Sequence, residues 1–171
     1  MSQLFELGIR VGDQLAARGE TIAVAESSAG GLISAALLAR AGASAYYFGG
    51  AVLYTRRSRR LLTTLTSDDT EGMRSSSPPY ARLLARHQRQ RFKASWGLAE
   101  TGASGPAGNT YGDPAGHACL AVDGPVPRER LLRTGDDNRA RNMVAFAVAA
   151  LELLEEALMA APLGDGAPPQ T

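Results

Sequence analysis

Four short stretches hold side chains able to do hydrolytic or anion-binding chemistry. Residues 26–31 read ESSAGG. Such a turn between a strand and a helix exposes a serine hydroxyl beside backbone N–H groups. That suits nucleophilic attack with an oxyanion donor at hand, or the seating of a phosphate. The same spacing serves a humbler use, in which Ser27 or Ser28 only caps the helix. Residues 102–114 read GASGPAGNTYGDP, a glycine-rich loop whose free N–H groups can form an anion nest or a plain surface loop. It is no Walker loop, because the Gly-Lys-Ser/Thr element is missing. Residues 135–141 read GDDNRAR. Here Asp136 is a candidate cap, and Arg139 and Arg141 fall in the first turn of a helix, where a guanidinium serves a ligand phosphate or carboxylate or is simply solvated. Residues 54–60 read YTRRSRR. That basic run lacks the interleaved aromatics of a nucleic-acid surface, and it reads as a solvated or salt-bridged helix face.

The elements that must position these stretches follow from periodicity. Leu4, Leu7, Val11 and Leu15 repeat at helical spacing and predict a helix over 3–18, ended by Gly19. Residues 21–25 read as a buried strand, and 32–40 as the helix after the serine turn. Strands are expected at 46–54, 95–101, 116–122 and 130–134. Helices are expected at 56–65, at 80–92 behind Pro78 and Pro79, and at 138–158. Strand, small polar turn and helix in alternation define an α/β chain.

Bulk properties narrow the class. A chain of 171 residues that is 44% apolar fits one globular domain, residues 1–159, and the Pro/Gly-rich residues 160–171 read as a disordered tail. Eighteen basic and 17 acidic residues leave a net charge of +1, so no global attraction to nucleic acid or to a membrane surface is expected. The single cysteine, Cys119, excludes an internal disulfide, and no His/Cys spacing suggests zinc. Neither a leader nor a membrane span is visible, which places the chain in the cytoplasm. Lys93 is the only lysine, so any lysine-dependent step has one candidate.

Taken together, the motifs resemble the CinA C-terminal, or nicotinamide-nucleotide amidase, family. Its motif A-E-S-C-T-G-G is matched by AESSAGG at 25–31, and Y-S-N-x-x-K by YTRRSR at 54–59. T-G-I-A-G-P is matched by TGASGP at 101–106, and G-D-R-x-x-V-R by residues 135–141. Ser77 falls at a further family serine. The resemblance runs from about residue 5 to 158. It implies a single-domain, three-layer α/β/α sandwich on a mixed, mostly parallel sheet, in a homo-oligomer. It implies hydrolysis of the carboxamide of nicotinamide mononucleotide, a small nucleotide substrate, to the acid and ammonia, with neither metal nor other cofactor. Ser27 stands at the nucleophile position, Arg59 at the position of the family's lysine, and Tyr54 beside them as a pocket residue. Glu26, Ser28, Gly30, Gly31, Thr101, Gly102, Gly105 and Arg141 are the implied substrate contacts. An arginine cannot take a serine's proton, because guanidinium stays charged at biological pH. His117, beside the glycine loop, is a further candidate base. The departure leaves two other functions open: an anion-binding member without turnover, and a hydrolase with a different substrate.

Overall fold

The computed structural model describes residues 2–162. In chain order the elements are α1 (Ser2–Arg18), β1 (Ile22–Glu26), α2 (Leu32–Leu38), β2 (Tyr47–Val52), α3 (Arg56–Leu62) and α4 (Pro78–Phe92). They continue with β3 (Trp96–Ala103), β4 (His117–Asp123), β5 (Arg128–Arg133) and α5 (Arg139–Ala160). The strands form one sheet in the order β2-β1-β3-β4-β5. β1 pairs in parallel with β2 and β3, and β4 pairs antiparallel with β3 and β5. Four strands therefore run one way and β4 the other.

Side-chain alternation divides the sheet between two helical layers. Ile22 and Val24 of β1, Trp96 and Leu98 of β3, and Ala118, Leu120 and Val122 of β4 pack with α1, α2 and α5. The intervening Ala25, Ala99, Cys119 and Ala121 pack with Tyr80, Ala81, Leu84 and Ala85 of α4. The second face is built from small residues for a steric reason. A Cβ on Gly97 would lie 2.0 Å from the carbonyl oxygen of Ala85, so α4 sits against the sheet only because that atom is missing. Cys119 is fully buried in this layer, and burial pushes its thiol up to about 11.

The connection from β1 through α2 to β2 covers one face, and that from β2 through α4 to β3 covers the other. β1 lies between β2 and β3, so the chain reverses direction across the sheet at β1. A crevice forms outside the carboxyl ends of parallel strands at such a switch point. The turn after Glu26, the segment after Val52 and the end of β3 all emerge there.

Most boundaries shift by a residue or two from those read in the sequence, and α3 stops at Leu62, three residues early. β3 runs on to Ala103, because β4 offers an antiparallel partner that pairs Gly102 with Ala118 and Ala103 with His117. β5 starts earlier, at Arg128, against Val122. The tail expected from residue 160 begins inside the packed structure. Ala160 closes α5, Ala161 is buried, and the Arg18 guanidinium donates to the Pro162 carbonyl at 2.8 Å. Residues 163–171 of that expected tail lie outside the described residues. Among the described residues no helix is long and apolar enough to cross a membrane.

Candidate active site

The crevice is a cavity of about 750 Å³. Its floor is the serine turn. Its walls are α3 and the β3 loop, and residues from the 67–76 segment close over it.

The serine turn departs from expectation. Backbone N–H groups read as free for a ligand are taken by two carboxyl groups of the chain itself. Glu26 is only 1% exposed. Its Oε2 accepts from the N–H groups of Gly31 (2.9 Å) and Ile33 (3.0 Å), and its Oε1 from the N–H (2.8 Å) and hydroxyl (2.5 Å) of Ser34. Glu26 thus satisfies the orphan donors that open α2. Glu100, fully buried on β3, accepts through Oε2 from the N–H groups of Ser27 (2.9 Å) and Ala29 (2.8 Å). Its Oε1 accepts from the Ser28 hydroxyl. Among the described residues, the Ser27 hydroxyl and the Ser28 N–H have no protein partner.

Burial pushes the Glu100 carboxyl up, against the opposing pull of the Ser28 hydroxyl and the two N–H groups. Neither carboxyl group lines the cavity, whereas Ser27 and Ser28 both do. Glu26, Gly30 and Gly31, expected as substrate contacts, instead form the support beneath the turn. Gly30 and Gly31 adopt left-handed backbone (φ 69° and 96°), which lets the chain double back onto α2.

Most of the arginine run is solvated as the sequence suggests, with Arg56, Arg57 and Arg60 exposed and Arg59 half-buried, but three of its members also face the cavity. Thr55 and Ser58 form a capping box at the start of α3, with Ser58 N–H donating to Thr55 Oγ1 at 3.0 Å and Thr55 N–H to Ser58 Oγ at 2.9 Å. That cap orients a helix whose residues 56, 59 and 60 share one side. Arg56, Arg59 and Arg60 all line the cavity, and none has an ion-pair partner among the described residues. The Arg59 Nε is buried and has no hydrogen-bond partner among them.

The fourth guanidinium is that of Arg139, not Arg141. Arg139 donates to the Gly105 carbonyl and to the Tyr54 hydroxyl, each at 2.8 Å, and clamps the β3 loop to the segment after β2. Arg141 projects away from the cavity, with its side chain 71% exposed, and pairs with Asp136 at 2.7 and 3.0 Å. That pairing holds the Asp136 carboxyl down to about 2. The cap of α5 is Asn138, whose Oδ1 accepts from the Arg141 N–H at 3.0 Å; Asp136 instead accepts from the Asn138 N–H.

The glycine-rich loop is fixed from below and from the side. Asn142 on α5 donates to the carbonyls of Ser104 (2.9 Å) and Asp136 (2.8 Å). Gly105 has φ 106°, and a Cβ there would lie 2.5 Å from the Asp137 carbonyl oxygen. Arg74 pairs with Asp113 and ties the loop to the segment above the cavity. Thr101, Gly102 and Gly105 line the cavity as expected from their position. So does Ser104, whose buried hydroxyl has no partner among the described residues.

Three tyrosines, Tyr54, Tyr80 and Tyr111, complete the wall. Hydrogen bonds from Arg56 and Ser75 hold the Tyr111 phenol below its ordinary value. Ser76 adopts φ 57°, unusual for a residue with a side chain. Its carbonyl accepts from His117 Nε2 at 2.9 Å, and its N–H donates to Thr101 Oγ1 at 3.3 Å. His117, 3% exposed and committed to Ser76, does not line the cavity and supplies no base there. Lys93 caps α4 just before β3 begins, at the opposite end of the sheet. Ser77 precedes α4 and donates its hydroxyl to the Arg74 carbonyl at 2.6 Å, outside the cavity wall.

The switch point of this mixed-sheet α/β domain thus gathers the serine turn and four guanidinium groups around one cavity. The chain belongs to the CinA family: the family model for the CinA C-terminal domain matches residues 5–158. A CinA-like protein of Anaeromyxobacter sp. (strain Fw109-5) is 39% identical over 156 residues, which span 90% of this chain and 37% of that protein. The chain therefore spans little more than a third of that relative's length. Solved structures of closer size share the fold. The competence/damage inducible protein CihA of Agrobacterium tumefaciens superposes with a TM-score of 0.82 at 29% identity, covering 91% of this chain and 95% of that one. A CinA superfamily protein of Klebsiella pneumoniae gives 0.83 at 25% identity, covering 91% and 98%.

Proposed function

We propose that this domain hydrolyses the carboxamide of nicotinamide mononucleotide, or of a closely similar pyridine nucleotide, to the acid and ammonia. One observation carries the reading. The serine turn faces a cavity lined by Arg56, Arg59, Arg60 and Arg139, with three tyrosines and no carboxyl group in the wall. Guanidinium forks suit a phosphate, aromatic faces suit a pyridinium ring, and a turn hydroxyl suits attack on the amide carbon. The buried Ser104 hydroxyl and Arg59 Nε, both without protein partners among the described residues, support a polar ligand there. Within this reading a turn serine is the nucleophile, at the family position Ser27. Arg59 binds phosphate in place of moving a proton, and Tyr54 and Arg139 close one rim. Work in the cytoplasm as a homo-oligomer belongs to the same proposal. The homo-oligomer is supported by the edge strand β2, whose Phe48 and Val52 are exposed.

A second reading, binding without turnover, is favoured by the lack of any lysine, histidine or carboxyl group in the cavity wall. Ammonia release from nicotinamide mononucleotide, set beside the riboside that lacks the phosphate, separates the two. The amidase reading expects release from the nucleotide, with kcat/KM for the riboside lower by roughly two orders of magnitude, the worth of one or two charge-assisted hydrogen bonds. Tight nucleotide binding with no ammonia would establish the second reading.

A further inference from the structure

We infer that the preferred substrate of this cavity carries at least two phosphoryl groups, so that a pyridine dinucleotide with its diphosphate fits better than a mononucleotide. The inference rests on reading the cavity as a pyridine-nucleotide site, and it names the member of that class. Three observations lead to it.

The first is a pair of departures from the motif Y-S-N-x-x-K. Residues 54–59 read YTRRSR, so Arg56 stands at the asparagine and Arg59 at the lysine. Both line the cavity, as does Arg60, about one turn beyond Arg56. The first exchange adds a positive charge. The second replaces a point charge by a planar fork that holds two phosphate oxygens at once.

The second is that the protein does not balance this charge. Among the described residues no carboxyl group pairs with Arg56, Arg59 or Arg60. The overlying segment carries Asp68, Asp69 and Glu71, yet none of them lines the cavity. Arg56 and Arg60 are like charges four residues apart, a spacing that weakens a helix. Arg56 also stands in the first turn, where a cation opposes the helix dipole. α3 has no buried residue to offset either effect. An anion in the cavity removes both conflicts.

The third is the number of forks. Arg139 is committed to the Gly105 carbonyl and the Tyr54 hydroxyl. Three guanidinium groups remain, and a mononucleotide brings them one phosphate. Arg56 and Arg60 rise from a ridge on which such neighbours lie roughly 5–6 Å apart at Cβ, so they address successive anionic groups. The cavity, about 750 Å³, falls in the upper part of the roughly 300–1,000 Å³ range of small-molecule sites, with room for the longer ligand.

Arg56→Asn, which restores the motif residue, is the informative variant. Arg56 is exposed and lies outside the Thr55–Ser58 capping box, so the change leaves the core intact. Arg57→Asn is the control, because Arg57 has the same charge but does not line the cavity. Calorimetric titration of the full chain compares inorganic phosphate with pyrophosphate, and nicotinamide mononucleotide with nicotinamide adenine dinucleotide. Ammonia release is followed for both nucleotides. The expected result is binding at least ~10-fold tighter for the second member of each pair, the lower end of what one charge-assisted hydrogen bond gives. Arg56→Asn should erase most of both preferences, and Arg57→Asn should keep them. Equal affinities within each pair, or preferences that survive Arg56→Asn, would overturn the inference. So would a preference for the dinucleotide without one for pyrophosphate, since that assigns the gain to adenosine. Both preferences, dependent on Arg56 but with no ammonia from either nucleotide, would uphold the two-phosphoryl site and remove the hydrolysis. Ammonia from the mononucleotide with no preference in either pair would do the reverse.

Discussion

Glu26→Ala is expected to destabilise the domain by about 3–5 kcal/mol, the range seen when one member of a buried polar network is removed. The carboxyl group of Glu26 meets four donors, three of them backbone N–H groups of α2 or the turn before it. Truncation leaves those donors buried beside a void, and each unsatisfied group costs roughly 1–3 kcal/mol before relaxation or water entry recovers part of it. For a domain of this size the loss lowers Tm by roughly 10 °C. Thermal unfolding followed by circular dichroism measures it. Glu26→Gln retains one accepting oxygen but directs an NH₂ at other donors, so its Tm should fall between wild type and Glu26→Ala. Equal Tm values for wild type and Glu26→Ala would mean that α2 starts without this support.

Arg59→Ala and Arg139→Ala are each expected to raise KM for nicotinamide mononucleotide by roughly ten- to a hundredfold, the worth of a charge-assisted hydrogen bond. The two arginines should differ in kcat. Arg59 stands in the wall with its Nε unengaged by protein, so its loss should act chiefly on binding. Arg139 also holds the Gly105 carbonyl and the Tyr54 hydroxyl, so its loss loosens the loop and should lower kcat as well. Arg141→Ala serves as the control, since that side chain pairs with Asp136 away from the cavity. Steady-state kinetics on the three variants checks the pattern. An Arg141→Ala defect larger than that of Arg139→Ala would contradict the geometry.

The order of elements was readable from the sequence because hydrophobic period and turn residues carry it locally. Leu4, Leu7, Val11 and Leu15 mark α1 by spacing, and all four are buried. The motifs at 27–28, 54–59 and 101–105 were likewise readable, and residues from each line one cavity. The misplaced assignments share a physical cause. Whether a polar side chain faces a cavity, solvent or the interior depends on helix phase and on distant partners. Arg139 and Arg141 sit two residues apart on α5, so they point to different sides, and composition alone does not choose between them. Glu26 and Glu100 fill N–H groups that a local reading leaves free for a ligand. Glu100 did leave a trace. It falls in step with Trp96 and Leu98 on one face of β3, which puts a carboxyl group where an apolar residue is expected. Its partner Ser28 lies 72 residues away in sequence, so only the fold reveals the pair.

Cleavage of a carboxamide in this cavity is tested most directly by identifying the nucleotide product. Purified protein is incubated with nicotinamide mononucleotide, and the nucleotide pool is then analysed by mass spectrometry. The expected product is the carboxylate form of the mononucleotide, with ribose and phosphate intact, in amounts equal to the ammonia released. Free nicotinamide, loss of phosphate, or an unchanged nucleotide that nevertheless binds would contradict it.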